Sequence, residues 1–190
     1  MNIVIKTSNG CICCRPDTTW ERENKDFFSP DFVKNLLWSP VLFARIGKAG
    51  KYINPKYVER YFDGVNFGML LYPGEIYLKD GYAPASILDH TSILPFPLFN
   101  PSVIKNGNIA TNYLLDNQEI FRLSSNSDQE LFAKICDGIC DASRHISLRI
   151  GDMVAIELAN PSELVSGKGN EKEISGTFCE NETFRFKIKL

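Results

Sequence analysis

The chain has 190 residues, of which 44% are hydrophobic and 23% are charged, and its formal net charge is −2. This length favours a single domain with a full hydrophobic core, and the composition is that of a globular protein. The charge balance argues against a nucleic-acid partner, and no run reaches the ~18 apolar residues of a membrane span. Because the first residues also lack the pattern of a secretion signal, we expect one cytoplasmic domain over residues 1–190.

Short runs rich in β-branched and aromatic residues, separated by Gly, Pro, Asn and Asp, indicate a mainly β protein. Asp116-Asn117 lies between two such runs and predicts a hairpin turn, because Asn and Asp tolerate positive φ. Gly151-Asp152 predicts a tight turn before another strand, whereas residues 160–171 are rich in Ser, Gly and Asn and predict an exposed loop. The predicted strands cover residues 3–6, 41–46, 65–72, 112–115, 119–123, 153–158, 173–178 and 183–188.

Two helices are predicted from their first residues. Asn54-Pro55 provides an N-cap residue followed by Pro at the first helical position, which predicts a helix over residues 56–62. Ser127 and Glu130 form a capping box before a second helix over residues 131–142. The fold class expected from these elements is mainly β (α+β), with two or three short helices.

The chain contains six cysteines, at positions 11, 13, 14, 136, 140 and 179. Their spacing matches none of the usual zinc-binding patterns, so we interpret them as reduced residues rather than as metal ligands. The sequence leaves the role of Cys11, Cys13 and Cys14 open. No signature of a cysteine nucleophile accompanies His90, and we therefore favour a hydrogen-bonded loop histidine over a catalytic Cys–His pair.

Six segments, in order along the chain, resemble motifs of the fumarylacetoacetate hydrolase family. RPDTT at residues 15–19 is similar to K-P-D-S/T-S/A, and FARIGKAGK at residues 43–51 is similar to V-x-R-I-x-x-x-G-K. RYFD at residues 60–63, with Gly68, is similar to R-Y-Y-D-x-I/V-x-x-G, and further segments cover residues 28–32, 128–153 and 176–189. The resemblance implies the family's mixed β-sandwich or β-roll, in which residues 1–14 are a remnant of the family's N-terminal segment.

In family enzymes, as this resemblance implies, two glutamates in an E-x-E on one strand and an aspartate on a neighbouring strand bind a divalent cation. Mg²⁺ and Ca²⁺ require such oxygen ligands, and the bound cation polarises a β-keto or diketo acid for C–C bond cleavage. In this sequence the three positions are occupied by Ser39, Val41 and Leu70. Since Val and Leu have no ligand atom, we expect no metal cofactor.

Other features of the family have changed as well. The resemblance implies that the family's catalytic lysine corresponds to a position near Ser86 and that Asp89 is a retained aspartate. It also implies that Glu157 occupies the position of the glycine in the family's T-G-T-P turn. The family's catalytic histidine lies in an N-terminal stretch that this chain largely lacks. Arg45 is expected either to pair with Asp63 or to hold a carboxylate ligand. The remnant pocket is expected to contain Ser39, Val41, Arg45, Leu70, Ser86 and Asp89.

Three hypotheses follow from these substitutions. The first is a catalytically inactive homodimer, a pseudoenzyme that binds a ligand or acts as a scaffold without a cofactor. The alternative is a hydrolase, decarboxylase or isomerase acting on a small β-keto or diketo acid, in which Glu75 or Asp89 completes an Mg²⁺ or Ca²⁺ site. The third is a subunit that forms a hetero-oligomer with an active homologue. No hypothesis involves nucleic acid or a membrane. A bound cation would favour the alternative over the first hypothesis.

Overall fold

The computed structural model describes residues 1–105, 109–125 and 129–190, and these residues form two β-sheets with short helices between the strands. The strands are β1 (Ile3–Lys6), β2 (Ile12–Arg15), β3 (Trp20–Glu21), β4 (Phe27–Phe28), β5 (Asn35–Ile46), β6 (Phe62–Pro73), β7 (Ser92–Ile93), β8 (Ile109–Leu115), β9 (Gln118–Ser125), β10 (Met153–Glu157), β11 (Ser162–Ser166), β12 (Glu171–Phe178) and β13 (Asn181–Lys189). The helices are α1 (Gly74–Asp80), α2 (Tyr82–Ala85), α3 (Ser102–Lys105) and α4 (Gln129–His145), with 3-10 turns at Asp17–Thr19 and Pro55–Arg60.

The larger sheet carries the predicted site on its two longest strands. Its strand order is β2-β1-β10-β5-β6-β7-β3, with β11 pairing with part of β5, and the smaller sheet has the order β4-β13-β12-β8-β9. Strands β5 and β6 are antiparallel to each other, and each is 12 residues long. Because successive side chains of a strand point to opposite faces, each of these strands contributes to two separate cores.

The two cores lie on opposite faces of the β5–β6 pair. One contains Trp38, Leu42 and Phe67 and extends to the smaller sheet and to α4. The other, which we call the small core, contains Val41 and Leu70 and is covered by side chains of α1 and α2. Burial on both faces explains why β5 and β6 are apolar along most of their length.

All eight predicted strands are present and the mainly β fold class is confirmed, although β5 begins at Asn35 and not at residue 41 and other strands differ by a few residues at their ends. The turn at Asp116-Asn117 is confirmed as well, with φ angles of +48° and +66°. The prediction of a loop over residues 160–171 was wrong, because Ser162–Ser166 forms β11. This strand pairs with the first residues of β5, and the pairing satisfies the backbone groups of a largely polar segment.

The helices differ more from the prediction. The first predicted helix is a 3-10 turn, Pro55–Arg60, although its cap is confirmed, since Asn54 Oδ1 accepts the N–H of Lys56 at 2.9 Å. The second is confirmed as α4, while Ser127 of its capping box lies outside the described residues. Helices α1 to α3 were not predicted, because four to seven residues are too few to show a helical period. Within the described parts of the chain, no helix combines the length and apolar character that crossing a membrane requires.

Candidate functional site

The three positions that the resemblance assigns to metal ligands lie together in the structure. Ser39 on β5 is directly opposite Leu70 on β6, and Val41 follows two residues later on the same face of the sheet. All three residues are fully buried. The motif alignment therefore identifies a real cluster, at the centre of the larger sheet.

The chemistry of this cluster does not fit a divalent cation. Val41 and Leu70 belong to the small core, where they are surrounded by apolar and aromatic side chains. The hydroxyl of Ser39 donates a hydrogen bond to the carbonyl oxygen of Ala159 at 2.7 Å. Mg²⁺ and Ca²⁺ require about six or more oxygen ligands. Among residues 1–105, 109–125 and 129–190, no group of three or more His, Cys, Asp or Glu side chains is placed to hold a metal ion.

Three tyrosines, which we call the tyrosine cluster, occupy the same small core: Tyr72, Tyr77 and Tyr82. The ring of Tyr72 is fully buried, and its centroid lies 5.5 Å from that of Tyr77 and 5.4 Å from that of Tyr82. Tyr72 comes from β6, while α1 and α2 supply the other two. Aromatic pairs at these distances are well packed. The space above the former ligand positions is therefore filled by the chain itself.

The carboxylate of Glu157 accepts a hydrogen bond from the tyrosine cluster. The Tyr72 hydroxyl donates to the Glu157 carboxylate, whose second oxygen accepts the backbone N–H of Ser8 at 2.9 Å. Burial raises the pKa of Tyr72 well above its ordinary value, and the negative charge of Glu157 raises it further. Glu157, at the position that the resemblance assigns to a turn glycine, is thus the hydrogen-bond partner of Tyr72.

Arg15 lies beneath the same cluster and was not identified as a site residue from the sequence. Its side chain is 2% exposed, and its guanidinium carbon lies 4.5 Å from the ring centroid of Tyr72. The guanidinium donates to the carbonyl oxygens of Leu71 and Thr91, each at 3.1 Å, and to the hydroxyl of Ser92 at 3.3 Å. In the described residues Arg15 has no carboxylate partner, so neutral acceptors and an aromatic face solvate its charge.

Arg45 is not part of the pocket. It is six residues from Ser39 along β5, which corresponds to roughly 20 Å at the rise of an extended strand. Its Nε donates to Asp63 Oδ1 at 2.8 Å, and the two side chains are 38% and 50% exposed. The first of the two expected roles of Arg45, an ion pair with Asp63, is therefore present, and a carboxylate ligand would have to displace Asp63.

The remaining predicted residues do not lie on β5 or β6 but on α1 or at and after the end of α2. Ser86 directly follows α2 and is buried, and its hydroxyl donates to the carbonyl oxygen of Tyr82 at 2.7 Å. Glu75 is exposed in the first turn of α1. Asp89 is also exposed and lines a separate cavity of about 650 Å³, to which none of the three former ligand positions contributes. The structure thus places three of the six predicted pocket residues, Ser39, Val41 and Leu70, on one face of the β5–β6 pair.

Comparison with known proteins identifies the fold. No protein-family model matches the sequence, and no curated protein matches it. Solved structures do match, and they show that the chain has the fold of the fumarylacetoacetate hydrolase family. The resemblance seen in the sequence is confirmed at the level of the fold.

Several structural neighbours with this fold are hydrolases and isomerases. Fumarylpyruvate hydrolase from Pseudomonas aeruginosa, in complex with Mn²⁺ and pyruvate, has a TM-score of 0.78 at 15% identity, over 100% of this chain and 88% of that chain. Maleylpyruvate hydrolase from a Sphingobium species has a TM-score of 0.78 at 13% identity, over 99% and 70%. The 5-carboxymethyl-2-hydroxymuconate delta-isomerase from Mycobacterium smegmatis has a TM-score of 0.74 at 17% identity, over 94% and 68%.

Proposed function

We propose that this protein is a pseudoenzyme of the fumarylacetoacetate hydrolase fold, which functions by binding a ligand or a partner and not by metal-dependent catalysis. The observation that carries the proposal is the burial of Val41 and Leu70 in an apolar core, beside a Ser39 hydroxyl that is already engaged by Ala159. A dication in these surroundings would lose its hydration without gaining charged ligands, which is strongly unfavourable.

The electrostatics of the small core support the same proposal. Keto acids are anions at neutral pH, and an anion in this region would approach the carboxylate of Glu157. The positive charge of Arg15 does not compensate, because its side chain is 2% exposed and packs against the Tyr72 ring, so an anion could reach it only by displacing buried side chains. Tyr72 and its neighbours would also have to move before any substrate could reach the sheet.

Metal titration tests this proposal. Mn²⁺, Mg²⁺ and Ca²⁺ are titrated by calorimetry and by thermal shift, with the P. aeruginosa fumarylpyruvate hydrolase, whose structure contains Mn²⁺, as the positive control. A specific site at a hundredfold excess over Kd stabilises a protein by about 2.7 kcal/mol. We expect this shift for the control and none for this protein. Saturable binding at micromolar metal, together with turnover of an acylpyruvate, would contradict the proposal.

A metal-dependent hydrolase or isomerase is the second candidate, because neighbours that share the fold are named as hydrolases or isomerases and one of them was solved with Mn²⁺. Its metal ligands would have to include Glu75 or Asp89, the two acidic residues proposed to rebuild the site. Both side chains are exposed, so Glu75→Gln and Asp89→Asn are not expected to perturb folding. Metal binding that is lost in either variant would favour this candidate.

Self-association, or association with an active homologue, is proposed for the same protein. Phe32 and Ile87 are 60% and 62% exposed and line a surface cavity of about 280 Å³ with Ile76 and Pro84. Exposed apolar surface of this kind is common at protein interfaces. Analytical ultracentrifugation of the protein and of its Ile87→Glu variant tests the homodimer. A monomeric wild type would exclude it, and mixing with an active homologue would then test the hetero-oligomer.

A further inference from the structure

A second cavity of the protein is independent of the former metal site. It has a volume of about 650 Å³, within the range of small-molecule sites. It lies between β3, which is an edge strand of the larger sheet, and β4, which is an edge strand of the smaller sheet. We call it the edge cavity. Its lining consists of Glu21, Lys25, Asp26, Phe27, Phe28, Pro30, Leu88, Asp89 and His90.

One side of the edge cavity is apolar. Phe27 is 4% exposed and forms part of the core that contains Trp38 and Phe67, while Leu88 packs against that core. Phe28 is 67% exposed, and the ammonium of Lys189 lies 4.8 Å from its ring centroid. The Phe28 ring is therefore already in a favourable contact with a cation of the chain. A ligand with an apolar body would lie against Phe27 and Leu88.

The polar side of the cavity carries an excess of negative charge. Its three carboxylates are those of Glu21, Asp26 and Asp89, and its single lysine, Lys25, is bound to Glu23 at 2.7 Å. Asp26 is already paired, since it accepts the backbone N–H of Lys187 and lies 3.3 Å from the ammonium of Lys189. Asp89 is different, because no hydrogen bond or ion pair engages its side chain within the described part of the chain.

Glu21 and His90 form a fixed pair at the cavity wall. Glu21 is 6% exposed, and its Oε1 accepts the N–H of Glu23 at 2.7 Å. Nδ1 of His90 lies 3.2 Å from Glu21 Oε2, which leaves Nε2 of this exposed ring available to a ligand. The backbone of His90 has a φ of +59°, an uncommon value for histidine, and its N–H donates to the carbonyl of Thr18 at 3.2 Å. The ring is thus held beside a buried carboxylate.

We propose that the edge cavity binds a small organic cation, an alkyl- or arylalkyl-ammonium ion. The ammonium pairs with Asp89, the buried charge of Glu21 contributes a negative potential, and the apolar body contacts Phe27 and Leu88. An anion of the same shape would be repelled by the unpaired carboxylate of Asp89 and by the buried charge of Glu21. This proposal does not depend on whether the former metal site is catalytic.

Two probes of similar shape and opposite charge test the proposal. The protein is titrated with 2-phenylethylammonium and with 3-phenylpropionate, and binding is followed by ¹H–¹⁵N NMR up to about 10 mM ligand, which detects a Kd of about 1 mM. We expect saturable shifts for the ammonium probe, centred on residues 21–30 and 88–90, and none for the carboxylate probe. Absence of binding by the ammonium probe, or equal binding of both, would overturn the proposal.

Two aspartate variants then test whether the carboxylate of Asp89 binds the cation. Asp89→Asn is expected to weaken binding of 2-phenylethylammonium at least tenfold, and it should fold normally because Asp89 is exposed. Asp80→Asn is the control, since Asp80 is an exposed aspartate at the end of α1 that does not line the cavity. Equal affinity of the Asp89→Asn variant and the wild type would overturn the assignment of Asp89, and with it the proposed site.

Discussion

The hydroxyl of Tyr72 on β6 donates a hydrogen bond to the carboxylate of Glu157 on β10, and this bond passes over the intervening strand β5. The two residues are 85 positions apart in the sequence. Their contact closes the face of the sheet on which Val41 and Leu70 lie. At the positions that the resemblance assigns to the turn glycine and to two of the metal ligands, Glu157, Val41 and Leu70 thus contribute to a closed aromatic core.

Removing the Tyr72 hydroxyl is expected to destabilise the protein. Tyr72→Phe leaves the partly buried Glu157 carboxylate with one partner fewer, which should cost about 1.5–3 kcal/mol for a hydrogen bond to a charged group. Urea denaturation measures the change. Tyr52→Phe is the control, because Tyr52 is 73% exposed and its variant should stay within about 0.5 kcal/mol of the wild type. A Tyr72→Phe variant as stable as this control would contradict the role of the contact.

The tyrosines also predict how stability depends on alkaline pH. Burial raises the pKa values of Tyr72, Tyr82 and Tyr113 above the ordinary value of 10.0. Above pH 10.0 the unfolded chain loses these protons while the folded protein keeps them, so the free energy of unfolding should fall as pH rises.

Ultraviolet absorbance of tyrosinate and circular dichroism, recorded together, test this dependence. Three of the seven tyrosines should ionise only when the protein unfolds. The Tyr72→Phe variant should show a shallower loss of stability above pH 10.0, because it lacks one of the linked protons. Ionisation of all seven tyrosines in the folded protein would contradict the prediction.

Leu70 is expected to behave as a core residue and not as the floor of an open pocket. Leu70→Ala should cost about 2–5 kcal/mol, because the surrounding small core cannot fully collapse into the cavity. Leu78→Ala is the matched control, since Leu78 is 76% exposed and its variant should change stability by less than about 0.5 kcal/mol. Similar denaturation midpoints for both variants would mean that the former site is accessible to solvent.

The sequence predicts the long elements and the position of the former site, but not what fills it. Strands β5 and β6 have long apolar runs, and motif spacing places Ser39, Val41 and Leu70 together. The contacts of Tyr72 with Glu157 and Arg15 join segments far apart in the chain, and no periodicity reports such contacts. Strands of two residues, such as β3 and β4, are also too short for an alternating pattern, so the edge cavity between them could not be predicted.

The cysteines of α4 are expected to react slowly with alkylating reagents. Burial, and then the negative charge of Glu59, raise the pKa of Cys136 to about 12, so that its reactive thiolate is scarce at neutral pH. Cys140 is buried, and burial raises its pKa as well. Cys11 is exposed and should be modified first by iodoacetamide, as peptide mass spectrometry would show. Equal labelling of Cys11 and Cys136 in the folded protein would contradict this order.

Arg15 should be replaceable by methionine with less loss of stability than by lysine. Its fork of nitrogens reaches Leu71, Thr91 and Ser92 together, and an ammonium cannot bind these acceptors in the same geometry. Arg15→Lys therefore leaves a poorly solvated charge in a buried site and should cost about 3 kcal/mol or more.

Arg15→Met keeps the apolar stem and removes the charge, so its cost should be lower, about 1–2 kcal/mol for the acceptors left unpaired. Arg22→Lys is the control, because the Arg22 side chain is 55% exposed and its variant should lie within about 0.5 kcal/mol of the wild type. Guanidinium denaturation of the three variants ranks them. A lysine variant as stable as the wild type would contradict the prediction. It would mean that a positive charge at residue 15 is sufficient and that the geometry of the guanidinium is not required.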